Sequence, residues 1–152
     1  MDGKGSLKLE AGIEQAWEVL LNPDALKACI MGCETLELVE ENKYAANLSV
    51  GIAAVKGDYT STIEITDVQK PTHYRLIVKG EGGPGTVQAT ADIDLTQEDE
   101  NTTVLTYTYD AEVGGKVAMV GQRMLGGVAK LIIKDFFKKF GKELKKREAL
   151  KN

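Results

Sequence analysis

The sequence is poor in the residues that most often carry chemistry: one histidine (His73), two cysteines (Cys29 and Cys33), one tryptophan and three prolines in 152 positions. A structural zinc takes four Cys or His ligands, and with so few available no metal site is expected. Two cysteines cannot build a disulfide framework either. Their spacing leaves two readings, small buried thiols beside a turn or a redox pair with a local disulfide, and an intracellular setting disfavours the second. No run approaches the roughly 18 uninterrupted apolar residues of a membrane span, and the opening Met1-Asp2-Gly3-Lys4-Gly5 is too polar for a secretory signal. The expectation is a soluble, cytoplasmic protein. With 43% apolar residues, it should form one domain over 1–152 that buries a core without metal or disulfide support.

Charge is unevenly spread. The formal net charge is −4, yet residues 130–152 hold nine Lys or Arg against three acids. A basic end of this kind is either a solvated helix face or a surface for an anionic membrane or an acidic partner. The domain as a whole is acidic, and aromatic and basic residues do not interleave as on a base-stacking platform, so nucleic acid is not an expected partner.

Ser6–Glu10 alternates and predicts a first strand. Ile13, Ala16, Trp17, Leu20 and Leu21 then recur at helical spacing, and Pro23 opens a second short helix. From Glu34 to Val113 the period becomes two. Turns at Glu41-Asn42, Lys56-Gly57, Lys70-Pro71, Gly83-Pro84-Gly85 and Asp99-Glu100-Asn101 divide it into six further strands. Short turns and no crossover helices imply an antiparallel meander. One face of the resulting sheet is apolar throughout, and Thr, Glu, Asp, Gln and Lys dominate the other.

A dry face of that extent needs a cover. The remaining long element is a helix predicted from about Lys116 to Lys146, which presents Val117, Val120, Gly121, Met124, Val128 and Leu131 in one stripe. Small residues at Ala46, Gly80, Ala89, Ala91 and Ala111 face it, which allows either close approach of helix and sheet or an internal apolar pocket. Such a pocket would be lined from the sheet by Leu48, Val50, Tyr59, Ile63, Leu76, Val78, Ala89, Ala91, Tyr107 and Tyr109. From the helix it would take Val117, Val120, Gly121, Met124 and Val128. Beyond Leu131 the predicted stripe rotates to Ile132, Phe136, Phe137, Phe140 and Leu144, near Gly126-Gly127. That second half either packs on the N-terminal helices or forms a membrane or partner surface of Phe137, Phe140, Lys138, Lys142 and Lys145.

Catalytic machinery is hard to find. His73 falls on the wet face with no Ser or Cys beside it, and the carboxylates lie mostly on wet strands and turns. Gly80–Gly85 and Gly114-Gly115-Lys116 lack phosphate-loop spacing and read as turns. Neither a catalytic residue nor a cofactor is expected.

Several strings together are similar to the carbon monoxide dehydrogenase G-subunit (CoxG) family of the START-like (SRPBCC) helix-grip superfamily. They are Ala16-Trp17-Glu18-Val19-Leu20, Asn22-Pro23, Ala28–Glu34, Val55-Lys56-Gly57, Val113–Ala118, Gly121-Gln122-Arg123 and Asp135-Phe136-Phe137. The resemblance covers nearly the whole chain; Met31 replaces the proline usual between the two cysteines. It implies an α+β helix-grip fold: a curved seven-stranded antiparallel sheet, two short helices after the first strand and a long C-terminal helix over the concave face. It also implies a non-catalytic protein that holds an apolar ligand of lipid or quinone type. Such a protein would be an accessory or membrane-recruiting partner of molybdenum-containing carbon monoxide dehydrogenases or related hydroxylases, peripheral on the inner face of the cell membrane. Family members often carry a long C-terminal anchor; here the final helix would have to serve. The same superfamily includes polyketide cyclases and aromatases, an alternative in which Tyr59, Tyr107 and Tyr109 are the candidate proton donors.

Overall fold

In the computed structural model, which describes residues 1–151 and the side chains of 1–148, a single seven-stranded antiparallel sheet carries the chain. The order along the sequence is β1 (Asp2–Leu9), α1 (Ile13–Leu20), α2 (Pro23–Cys29), β2 (Cys33–Glu40), β3 (Lys43–Val50), β4 (Gly57–Gln69), β5 (His73–Gly82), β6 (Gly85–Asp99), β7 (Thr102–Gly114) and α3 (Gln122–Lys151). Strands β2 to β7 neighbour one another in sequence order, and β1 pairs with β7, so the sheet order is β1-β7-β6-β5-β4-β3-β2. The meander and turns expected from the sequence are present.

β1 begins earlier than the Ser6 start predicted from alternation. Gly3 and Gly5 pair with Tyr109 and Tyr107 on β7. A Cβ at either glycine would run into the tyrosine ring opposite, so the missing side chains make room for those rings. Glycine hides the alternating pattern on which strand prediction depends.

The two short helices are closed in different ways. Gly12 offers no capping side chain to α1, and Gln97 on β6 supplies the acceptor instead: its Oε1 receives the Ile13 N–H at 3.0 Å. Asn22 caps α2, its Oδ1 accepting from Asp24 N and Ala25 N at 2.9 and 3.1 Å, with Pro23 in the first turn.

The long C-terminal element departs from prediction. Residues Gly115–Val120 form a 3-10 segment, the chain turns at Gly121 with φ +91°, and only then does α3 start, running unbroken through Gly126-Gly127. Advancing about 100° per residue from Leu125 places Leu125, Ile132, Phe136, Phe140 and Leu144 on one continuous face. Of these, Leu125, Phe140 and Leu144 are buried, and Phe136 packs against the core. The rotation of the stripe near Leu131 is therefore corrected: α3 has one inward face along its length. Its second half packs on α1 and α2, the more ordinary of the two readings.

Candidate functional site

Two sealed clusters bracket the concave face. The larger joins Trp17, Val19 and Leu20 of α1 and Cys29 of α2 to Tyr74, Ile93, Leu95 and Leu105 of the sheet and to Phe140 and Leu144 of α3. Trp17 meets Tyr74 edge-on at 5.4 Å between centroids. The smaller, at the opposite end, is Val55, Val117 and Leu125, edged by Val50, Ile52, Val113, Val120 and Val128.

Close backbone packing closes this second end. Gly57 lies so near Pro84, and Gly115 so near Gly85, that a Cβ on either glycine would clash; both have positive φ. The Val117 N–H donates to the Pro84 carbonyl at 2.8 Å, and the Tyr59 hydroxyl donates to the Val55 carbonyl at 2.6 Å. The glycine groups are thus turn chemistry.

Between the clusters lies a band of apolar side chains that belongs to neither: Leu48, Tyr59, Val78, Ala89, Ala91 and Tyr109 are all half-buried although they face inward. Side chains pointing into a filled core lose nearly all their accessible surface. Here the floor consists of the short residues Ala46, Gly80, Ala89, Ala91 and Ala111; Ala46 and Ala111 are buried, while Gly80, Ala89 and Ala91 keep part of their surface. Ile63, Leu76 and Tyr107 edge the larger cluster, where Tyr107 stacks on Phe137 at 5.7 Å. Ser61, absent from the predicted lining, is a polar side chain buried on the same floor, opposite Gly80; strand alternation with Tyr59 and Ile63 is the signal that would have found it.

Of the other predicted lining residues, Val50, Val117, Val120 and Val128 belong to the smaller cluster, and two reach neither cluster nor band. Met124 is 53% exposed, and Gly121 has no neighbour within 4 Å of where a side chain would start. The apolar half of the predicted membrane surface is also corrected: Phe140 is 1% exposed, and Phe137 stacks on Tyr107 and meets Phe136 and Phe140 edge-on against the core. Lys138, Lys142 and Lys145 are exposed.

Electrostatics add little that could drive catalysis. Burial pushes the Tyr59 and Tyr109 phenols up, with Tyr107 and Asp2 adding to the shift at Tyr109, and a higher pKa makes each a poorer proton donor near neutrality. Burial also raises the Cys29 thiol to about 11, aided by Glu143, and raises Cys33, whose Sγ lies 3.4 Å from the Thr35 carbonyl. Both cysteines are free. His73 lies on the outer face, its Nδ1 2.9 Å from Asp94 Oδ1, beside the Arg75–Asp92 pair at 3.0 Å.

This architecture, a curved antiparallel sheet gripped around a long C-terminal helix with two short helices after the first strand, is that of the START-like proteins. A START superfamily protein from Mycobacterium smegmatis matches with a TM-score of 0.75 at 8% identity, over 95% of this chain and 97% of that one. Zhui aromatase/cyclase from Streptomyces sp. R1128 matches with a TM-score of 0.67 at 17% identity, over 97% and 94%; at such identities the likeness is one of fold. A conserved protein from Geobacillus kaustophilus is 58% identical over 96% of both chains, with a TM-score of 0.94. The model of the carbon monoxide dehydrogenase G-subunit (CoxG) family matches residues 5–145, and the chain belongs to that family. Curated proteins offer no match to this sequence.

Proposed function

We propose that this protein is a non-catalytic carrier that holds an elongated apolar molecule, a lipid or a quinone, between the concave face and α3. The observation that supports the reading is the half-buried apolar band between two sealed clusters. A ligand that covers about 300 Å² of apolar surface gains on the order of 7 kcal/mol at about 25 cal/mol per Å², before the costs of association. Membership of the CoxG family supports a place beside a molybdenum-containing, carbon monoxide dehydrogenase-like oxidoreductase, as an accessory that brings its partner to the cytoplasmic face of the membrane.

Native mass spectrometry of freshly isolated protein tests the carrier reading. The expected spectrum shows a stoichiometric apolar adduct that organic extraction removes and that lipid or quinone restores. A bare chain that takes up neither would refute the proposal.

A further inference from the structure

From Arg123 to Lys142 the outward face of α3 carries one sign of charge; the exposed Glu148, further along, falls in the same direction. Advancing about 100° per residue, Arg123, Lys130, Lys134, Lys138 and Lys142 fall within roughly a third of a turn, opposite the buried stripe. All five are exposed and have no ion-pair partner among the described residues. The acid Asp135 borders the stripe, about 20° beyond Lys142, and Glu143 points with the buried face; each is paired four residues on, with Lys139 at 2.8 Å and Arg147 at 3.6 Å. Between Glu112 and Asp135 the sequence has no acid at all. Lys145, further along, sits 3.9 Å from Glu10, with both side chains largely in solvent.

Charge alone would describe a solvated helix. Two large apolar side chains interrupt this stripe, however: Met124 at 53% and Leu131 at 49% exposure, seven residues apart and so almost in line. Across the Gly121 turn, Met119 is 85% exposed. The helix that displays them buries all three of its phenylalanines, wholly or partly, on the other side.

We propose that the outward stripe of α3 lies flat on an anionic lipid surface, with Met119, Met124 and Leu131 entering the interface and the cations meeting phosphate headgroups. The chemistry of the stripe favours lipid over protein. From Arg123 to Lys142 it runs straight for about 28 Å at 1.5 Å per residue. Four of its five cations are lysines, which act as point charges, and it has no aromatic residue and a single arginine, whereas the anchors of protein interfaces are mainly Trp, Tyr and Arg. A long one-signed face with a thin apolar seam is what an interfacial helix needs. The inference deepens the proposed function by naming the surface through which the carrier would reach a membrane, yet it stands on residues that do not touch the apolar band.

The test is sedimentation of the intact protein with vesicles of phosphatidylcholine alone and with about a quarter phosphatidylglycerol. Binding should be at least about tenfold stronger to the anionic vesicles and weaken steeply as salt rises from about 0.05 to about 0.5 M. Lys130→Glu with Lys134→Glu and Lys138→Glu should abolish it, and Met124→Ser with Leu131→Ser should weaken it about three- to tenfold, with thermal midpoints near that of the parent. Indifference to phosphatidylglycerol, or variants that sediment like the parent, would overturn the proposal. So would equal binding to soluble polyglutamate that competes with vesicles, which would point to an acidic protein partner. Native mass spectrometry of the charge-reversed protein separates the two readings: a retained apolar adduct with lost vesicle binding supports both. An adduct that is absent throughout while vesicle binding follows the stripe removes only the carrier.

Discussion

At Cys29 the thiol is shut inside the packing of α2 on α3, and its ionisation is moved from 9.0 to about 11, first by loss of water and then by Glu143. Because the unfolded chain ionises there near 9, it releases this proton before the folded chain does. Stability should therefore fall as pH rises from about 9 toward 11 and should not depend on this group below about 9. Cys29→Ala removes the effect. Melting curves at about pH 8.5 and about pH 10.5 should show a smaller drop in midpoint for the variant than for the parent, whatever their starting values. Glycine gives a second comparison at this scale, because two neighbouring positions respond oppositely to one added methyl. At Gly121 the space is open but φ is +91°, so Gly121→Ala should cost about 1–3 kcal/mol through the backbone alone. At Gly126 the space is equally open and the backbone is helical, so Gly126→Ala should stabilise by about 1 kcal/mol. Urea titrations check both signs.

Among the elements, α3 shows where sequence reasoning succeeds and where it slips. β3 to β7 were legible because their inward residues alternate, whereas β2 was marked by its bounding turns and keeps Leu38 and Val39 exposed. The inward residues from Tyr44 to Val113 kept their faces. The helix side was misphased by one assumption, that a continuous α-helix starts near Lys116. The 3-10 segment holds three residues per turn and therefore advances about 120° per residue, and Gly121 then redirects the chain. A phase carried across that junction from Val117 and Val120 points Met124 and Leu131 inward, although both are exposed, and omits Leu125, which is buried. The same error of phase turns Phe140 outward. With its ring in the core beside Phe136 and Phe137, Phe140→Ala should cost about 3–5 kcal/mol in chemical denaturation. Met124→Ser, half in solvent already, should cost under about 1 kcal/mol.

For the whole molecule, the question is whether the interior between sheet and helix is filled by the protein's own side chains or admits a ligand. A larger side chain on the floor separates the two. Ala89→Phe or Ala91→Phe in a filled interior is overpacked and should lose about 1–3 kcal/mol. In a carrier either variant should keep its melting midpoint within a few degrees and fail to take up the apolar adduct. Calorimetry paired with native mass spectrometry reads both quantities on one sample.

The pairing of β1 with β7 has a consequence for how the chain comes off the ribosome. β1 ends at Leu9, and its partner does not begin until Thr102. At about 5–20 residues per second, the amino-terminal segment waits some 5–20 s without its hydrogen-bonding neighbour. Until β7 is made, any sheet begun from β2 onward keeps an unpaired edge where β1 belongs.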